Sequence, residues 1–275
     1  MKKSLNVHLL IIDPQNDFCD IPGATLPVAG AKADMGRLAK LIDRIGPKLA
    51  DIHVTMDSHR IIDIAHPAWW MDAKGNPPSP FTLISAADIE AGIWIPRNPG
   101  FRARSLAYAR SLESSADHYK ICVWPPHCLI GTWGHNVQDT LNTALQNWSF
   151  REFAMVDYVT KGSNPYTEHY GALAAEVPDP SDPGTSLNTD FLQILSQADI
   201  VVVGGEASSH CVLKTVSQIA TNIGTDQISK FHLLTDCMSP VGALPGVDFP
   251  QIALQFQRDM EKLGMHLTTS QSFLA

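Results

Sequence analysis

The chain has 275 residues, 44% of them hydrophobic and 17% charged, enough length and apolar content for a sizeable core in one large α/β domain or two small ones. Its 20 basic and 28 acidic residues give a net charge of -8; with no block of lysine or arginine, nucleic acid and anionic membrane are not expected partners. Five cysteines at 19, 122, 128, 211 and 237 form no CxxC pair, which argues against a disulfide framework or a zinc ribbon and for reduced thiols in the cytoplasm.

The N-terminus, MKKSLNVHLLIIDPQNDF, has a charged start but too short an apolar run for a signal peptide, and no later stretch is long and apolar enough to span a membrane. The run predicts a strand over Val7–Ile12 that ends in Asp13. Apolar residues at helical spacing follow over 31–45, then a strand over 52–56. The segment 60–115 (HPAWW, KGNPPSPF, WIPRNPG) breaks this rhythm. It reads as a long insertion over the sheet edge that shapes or covers a site. Beyond it come a strand over 119–123, a helix over 137–148, a strand over 153–156 and a Pro/Asp-rich connector over 177–184. A helix over 190–195, a strand over 200–203, a helix over 211–223, a strand over 231–234 and a helix over 249–263 complete the pattern. Near-continuous apolar strands need both faces covered. Their alternation with helices predicts an α/β fold, with one doubly wound, mostly parallel six-stranded sheet and helices on both faces, in a single domain over 1–275.

Ligands of such sheets bind beyond the C-terminal strand ends, and reactive residue types collect there. Asp13 follows the first strand, Asp57 and His59 the second, His127 the third, Lys161 the fourth, and His210-Cys211 the fifth. A cysteine at a helix start, after the small residues of Gly204-Gly205-Glu206-Ala207-Ser208-Ser209, suits a nucleophile whose pKa the helix end helps to lower. Packing of helix on strand is the plain alternative. Asp13 reads as a site carboxylate or a helix cap, and Lys161 as a site cation or a solvated loop residue. Asp57, His59 and His127 offer two imidazoles and a carboxylate, a set that suits Zn²⁺, Mn²⁺ or Fe²⁺; His66 is a doubtful further ligand. Cysteines 19, 122, 128 and 237 read as packing residues, and His135 and His169 as surface residues or rim of the cavity.

Five blocks occur in order: Asp13-x-Gln15-Asn16-Asp17-Phe18, Asp57-x-His59, Trp124-Pro125-Pro126-His127-Cys128-x-x-Gly131-Thr132, Lys161-Gly162 and Gly205-x-Ala207-Ser208-x-His210-Cys211-Val212. Together they resemble the nicotinamidases of the isochorismatase-like cysteine hydrolase superfamily. The resemblance implies an amidase that serves NAD salvage by hydrolysing nicotinamide to nicotinic acid and ammonia. It assigns Cys211 as nucleophile, Asp13 as proton carrier, Lys161 as their electrostatic support, and the amides of Ala207 and Cys211 as oxyanion hole. It also implies a cis peptide at Glu206-Ala207. Asp57, His59 and His127 would hold a divalent metal, zinc first with manganese or iron as alternatives. Phe18 and Trp124 would sandwich the pyridine ring, with His210 beside it.

The chain departs from the pattern at Ser208-Ser209, where Thr-Asp is usual. His66 lies seven residues after His59 rather than six, and the insertion, with Trp69, Trp70, Phe81 and Trp94, is long. It could close the pocket, resize it or make a homo-oligomer contact. The alternative reading within the superfamily is an amidase of another small amide or carbamoyl compound.

Overall fold

A computed structural model describes residues 5–115, 118–243 and 247–275. In chain order its strands and α-helices are β1 (Val7–Ile12), α1 (Ala31–Ile45), β2 (Leu49–Asp57), β3 (Trp70–Met71), β4 (Leu83–Ile84), α2 (Ala86–Glu90), β5 (Ile95–Pro96), α3 (Arg102–Ser114), β6 (Ile121–Cys122), α4 (Asp139–Glu152), β7 (Asp157–Lys161), α5 (Thr189–Gln197), β8 (Ile200–Gly205), α6 (Cys211–Asn222), β9 (Phe231–Leu234), α7 (Phe249–Leu263) and β10 (His266–Thr268). One sheet has six strands in the order β10-β9-β8-β1-β2-β7, and every pair in it is parallel. The chain winds one way from β1 to β2 and the other way from β8 to β9, so the winding reverses between β1 and β8. A crevice opens at such a point, beyond the strand ends.

Alternate side chains of the central strands point to opposite faces. Leu9, Ile11 and Val202 pack on one side with Met35, Leu38 and Ile42 of α1 and Leu145 and Trp148 of α4. Leu10, Ile12, Val201 and Val203 pack on the other with Phe191 of α5, Val212 and Val216 of α6 and Phe256 of α7. Each fully buried aliphatic side chain contributes roughly 1.5–3 kcal/mol of transfer free energy, so these two layers fix the positions of the strand ends.

Two of the sequence expectations are corrected. The strand expected over 153–156 is the end of α4 and a link: Phe153 is 99% exposed and left-handed at φ 51°, and the strand starts at Asp157. As a sheet edge, β7 need not be a continuous apolar run, and its burial is mixed along its length. The strand expected over 119–123 is not in the main sheet. It shortens to β6 and pairs antiparallel with β4, and the sixth place goes to the three-residue β10. The segment 60–115 has elements of its own, among them α2, which opens with a capping box between Ser85 and Asp88. Trp69, Trp70, Ile89, Tyr108 and Leu112 build a separate apolar cluster that takes in Ile121 and Val123. Trp69 stacks on Phe101 at 4.9 Å and 14°.

At the reversal point β8 must pass close to β1. Gly205 sits at φ +123°, and a Cβ there would lie 2.0 Å from the Ile12 carbonyl oxygen. Gly205→Ala combines backbone strain with overlap, and a loss of roughly 3 kcal/mol or more is expected. Thermal unfolding checks it; an unchanged melting temperature contradicts the close approach.

Candidate active site and metal centre

The parallel register sets Asp57 beside Lys161 and Ile12 beside Gly205, so the residues after β1, β2, β7 and β8 converge. Lys161 is the hub. Its Nζ lies 3.0 Å from Asp13 Oδ2 and 3.0 Å from Asp57 Oδ1, donates to the His169 carbonyl at 2.9 Å and reaches Cys211 Sγ at 3.7 Å. Asp13, Lys161 and Cys211 are all buried, and the plain readings of a helix cap and a solvated lysine do not describe them.

Burial works against the Lys161 charge, but Asp13, Asp57 and Cys211 outweigh it and hold the ammonium well above the ordinary lysine range. Burial raises Asp13, with Lys161 pulling it down and Asp57 pushing it up. Thr55 Oγ1 donates to Asp13 Oδ1 at 2.5 Å, while Oδ2 faces the Lys161 ammonium at 3.0 Å. The Cys211 thiol is pushed well above its ordinary range by burial, against the pull of Lys161. Attack by a thiol so placed requires a base, and Asp13 is within the same contact set.

The motif around Asp13 has a positioning role. Gln15 takes the Asp57 amide on its Oε1 at 2.7 Å and donates from Nε2 to the Asp57 carbonyl at 2.7 Å. Asn16 donates to the Trp133 carbonyl at 2.9 Å, and Asp17 accepts from the Cys128 amide at 2.7 Å. These bonds hold the loop that carries His127 against β1 and β2.

Asp57, His59 and His127 offer ligand atoms that all lie within 4.8 Å of one another. Asp57 Oδ2 is 3.1 Å from His59 Nε2 and 3.4 Å from His127 Nε2. The outer nitrogens are engaged elsewhere: His59 Nδ1 with Asp63 Oδ2 at 3.1 Å and His127 Nδ1 with the Pro125 carbonyl at 2.8 Å. That arrangement turns both Nε2 lone pairs inward, as a ligating histidine needs. His66 joins them, with its ring 5.1 Å from His59 and 5.4 Å from His127, although it stands outside the three-residue ligand set. Its Nδ1 faces the Arg60 carbonyl at 3.1 Å, and its Nε2 is buried without a partner. Burial opposes a charge on His59, yet Asp57 and Asp63 hold its pKa well above the ordinary value. Two inward Nε2 atoms and a carboxylate oxygen, with the orphaned His66 nitrogen beside them, fit a divalent cation.

Glu206-Ala207 is a cis peptide. In the turn after β8, Glu206 N donates to Ile12 O at 2.8 Å, Ser208 N to Ser239 O at 2.9 Å, and His210 N and Val212 N to Ala207 O at 2.9 and 3.1 Å. No such bond is made by the amides of Ala207 and Cys211 among the described residues of these turns. Ser209 Oγ, where an acid is usual, sits 2.9 Å from His210 Nδ1 and accepts from the Val241 amide at 3.1 Å.

Cys211, Asp57, His127, Phe18, Trp124 and His210 line one pocket, with Glu168, His169 and Tyr170 on its wall. Phe18 packs on His127 at 5.5 Å. Trp124 donates from its amide to Ala65 O at 2.7 Å and from Nε1 to Tyr170 Oη at 3.2 Å. Burial pushes the Glu168 carboxyl up to about 7 and drops His169 to about 3. His169 is a pocket residue rather than a surface one, and His135 is half-buried against Ser58, 2.9 Å from its Oγ. Sequence reasoning missed Thr55, Asp63, Glu168 and Tyr170. Thr55 was findable, two residues before Asp57 and so on the same strand face; the others lie in loops that carry no period.

No protein-family model matches the chain, and comparison with curated proteins finds no match. Solved structures do match. A nicotinamidase/pyrazinamidase of Acinetobacter baumanii superposes with a TM-score of 0.61 at 20% identity, over 98% of this chain and 99% of that one. The yeast nicotinamidase gives 0.62 at 18%, over 95% and 99%. The Pyrococcus horikoshii pyrazinamidase, solved in complex with zinc, gives 0.54 at 18%, over 96% and 99%. The chain thus has, over nearly its whole length, the fold of the nicotinamidase and pyrazinamidase structures.

Proposed function

We propose that the protein is a metal-dependent amidohydrolase that converts nicotinamide to nicotinic acid and ammonia through a thioester on Cys211. The observation that carries this reading is the single contact set of Lys161. One ammonium touches the carboxylate beside the thiol, the thiol itself and the carboxylate of the histidine cluster, inside a pocket walled by Phe18 and Trp124. The fold shared with nicotinamidase structures supports it.

Asp13 takes the thiol proton as sulfur attacks the carboxamide carbon, and Lys161 keeps the charge of the pair compensated. The amides of Ala207 and Cys211 receive the developing oxyanion. Protonated Asp13 then gives its proton to the amide nitrogen, and ammonia leaves a thioester. Water attacks that thioester as Asp13 accepts a proton again, which releases the acid and restores the thiol. Asp57, His59 and His127, with His66 beside them, would hold a divalent ion, zinc before manganese or iron. When bound, the ion supplies a Lewis-acidic seat for the ring nitrogen of a pyridine amide. Phe18, Trp124 and His210 would flank the ring and aim its carboxamide at Sγ. The partner is a small-molecule amide. No helix among the described residues is long and apolar enough to cross a membrane.

The second reading, another small amide or carbamoyl compound, draws on Glu168. Its buried carboxyl lies on the pocket wall, beyond what a plain pyridine ring requires.

Ammonia release from nicotinamide, with benzamide beside it, checks the reading. Activity is expected to vanish on chelation, to return with zinc, and to favour nicotinamide over benzamide. Absence of release from nicotinamide would move the assignment to the second reading. Cys211→Ala is expected to lower kcat by on the order of 10⁴-fold or more with the circular dichroism spectrum retained; substantial turnover sinks the nucleophile. Lys161→Ala is expected to cut kcat by roughly 10²–10³-fold and KM far less, as loss of an electrostatic support does; steady-state kinetics with a normal kcat would return Lys161 to a structural role.

A further inference from the structure

A second cluster of ligand-type side chains lies in the N-terminal half of the sheet. Asp13 follows His8 by five residues along β1, about 16 Å at roughly 3.3 Å per residue. His8 on β1 is in register with Asp51 on β2, and His53 lies two residues further along β2. One ligand atom of each falls within 4.8 Å of the others. His8 Nδ1 and His53 Nε2 face each other at 3.0 Å, and Asp51 Oδ2 is 3.9 Å from His53 Nε2. Both imidazoles are buried, while Asp51 is 37% exposed and opens a path to solvent.

The outer nitrogens decide the tautomers. His53 Nδ1 is 2.9 Å from Asp157 Oδ2, an acceptor-only carboxylate, so Nδ1 carries the hydrogen. His8 Nε2 is 3.2 Å from Asn6 Oδ1. The Asn6 amide cannot be turned round without loss, because its Nδ2 donates to Gln197 O at 3.1 Å; His8 Nε2 therefore carries its hydrogen too. Rings so anchored turn His8 Nδ1 and His53 Nε2 toward one another. Nitrogens on one tetrahedral zinc at Zn–N distances of about 2.0–2.1 Å stand about 3.3 Å apart, close to what the pair already has. The backing of His53 by a carboxylate is the usual support of a ligating imidazole.

We propose that His8, Asp51 and His53 form a second divalent-metal site, of zinc-type nitrogen/oxygen chemistry, in which Asp157 orients His53 and water completes the coordination. The ion would join β1 to β2 directly, and β7 through Asp157. It is independent of the amidase reading.

The test is metal stoichiometry, read by native mass spectrometry and elemental analysis on the full chain, stripped with chelator and titrated with Zn²⁺ near pH 7.5. His59→Ala/His127→Ala disables the other cluster and is expected to retain one zinc per chain; addition of His53→Gln is expected to remove it. Should the double variant misfold, the same count is read in the wild-type background, where His53→Gln is expected to bind one zinc fewer. Asp157→Ala keeps all three ligands and is expected to weaken binding about 10–100-fold. A folded double variant without zinc, or equal stoichiometry with and without His53→Gln, overturns the site and leaves the two imidazoles sharing a proton. The count is the same whether or not nicotinamide is hydrolysed, so failure of the catalytic reading and failure of this one are separate results.

Discussion

Everything at the C-terminal face of the sheet depends on one buried ammonium. Lys161 is enclosed by two carboxylates, a carbonyl and a thiol. A lone buried charge is prohibitively costly, and a pair is tolerated only when its remaining valences are met. Here one cation serves both Asp13 and Asp57. The histidine cluster and the cysteine are therefore electrostatically one unit, since a change in charge at either carboxylate is felt at the other through the shared nitrogen. Asp57 and Asp63 outweigh burial and hold the His59 pKa well above its ordinary value.

The sheet makes that convergence possible. Parallel strands end on one side, and the reversal of winding between β8 and β1 opens the crevice where Asp13 and the Glu206–Cys211 turn meet. The close approach of Gly205 to Ile12 brings the turn within reach of Asp13. Opposite, the pocket wall comes from segments with a separate apolar cluster around Trp69, Trp70 and Tyr108. Tyr108 Oη accepts from the Glu168 amide at 3.0 Å, and Trp124 is pinned to Ala65. Tyr108 and Ala65 of the segment 60–115 thus each hold one residue of the pocket wall, Glu168 and Trp124.

Much of this was legible in the sequence for definite reasons. Strands buried on both faces, β1, β8 and β9, show as near-continuous apolar runs, interrupted only by His8 in β1 and His232 in β9. The amphipathic α1 and α7 agree with their expected limits at both ends. The edge strands were not legible. β7 carries mixed burial, and β10 has only three residues, so neither produces a pattern strong enough to outweigh the apolar runs at 153–156 and 119–123, which tertiary context placed elsewhere.

The sequence by itself determined the fold class and the residue types at the strand ends. Both follow from local rules, the period of burial along an element and the chemistry of a side chain at its terminus. Only the tertiary structure decided which of those groups share charge and which nitrogen of each histidine faces inward. It also decided that Glu168, His169 and Tyr170 line the pocket, and that His66 stands beside His59 and His127 despite its altered spacing. Those are properties of register and of segments packed from far along the chain, and no short window of sequence contains them.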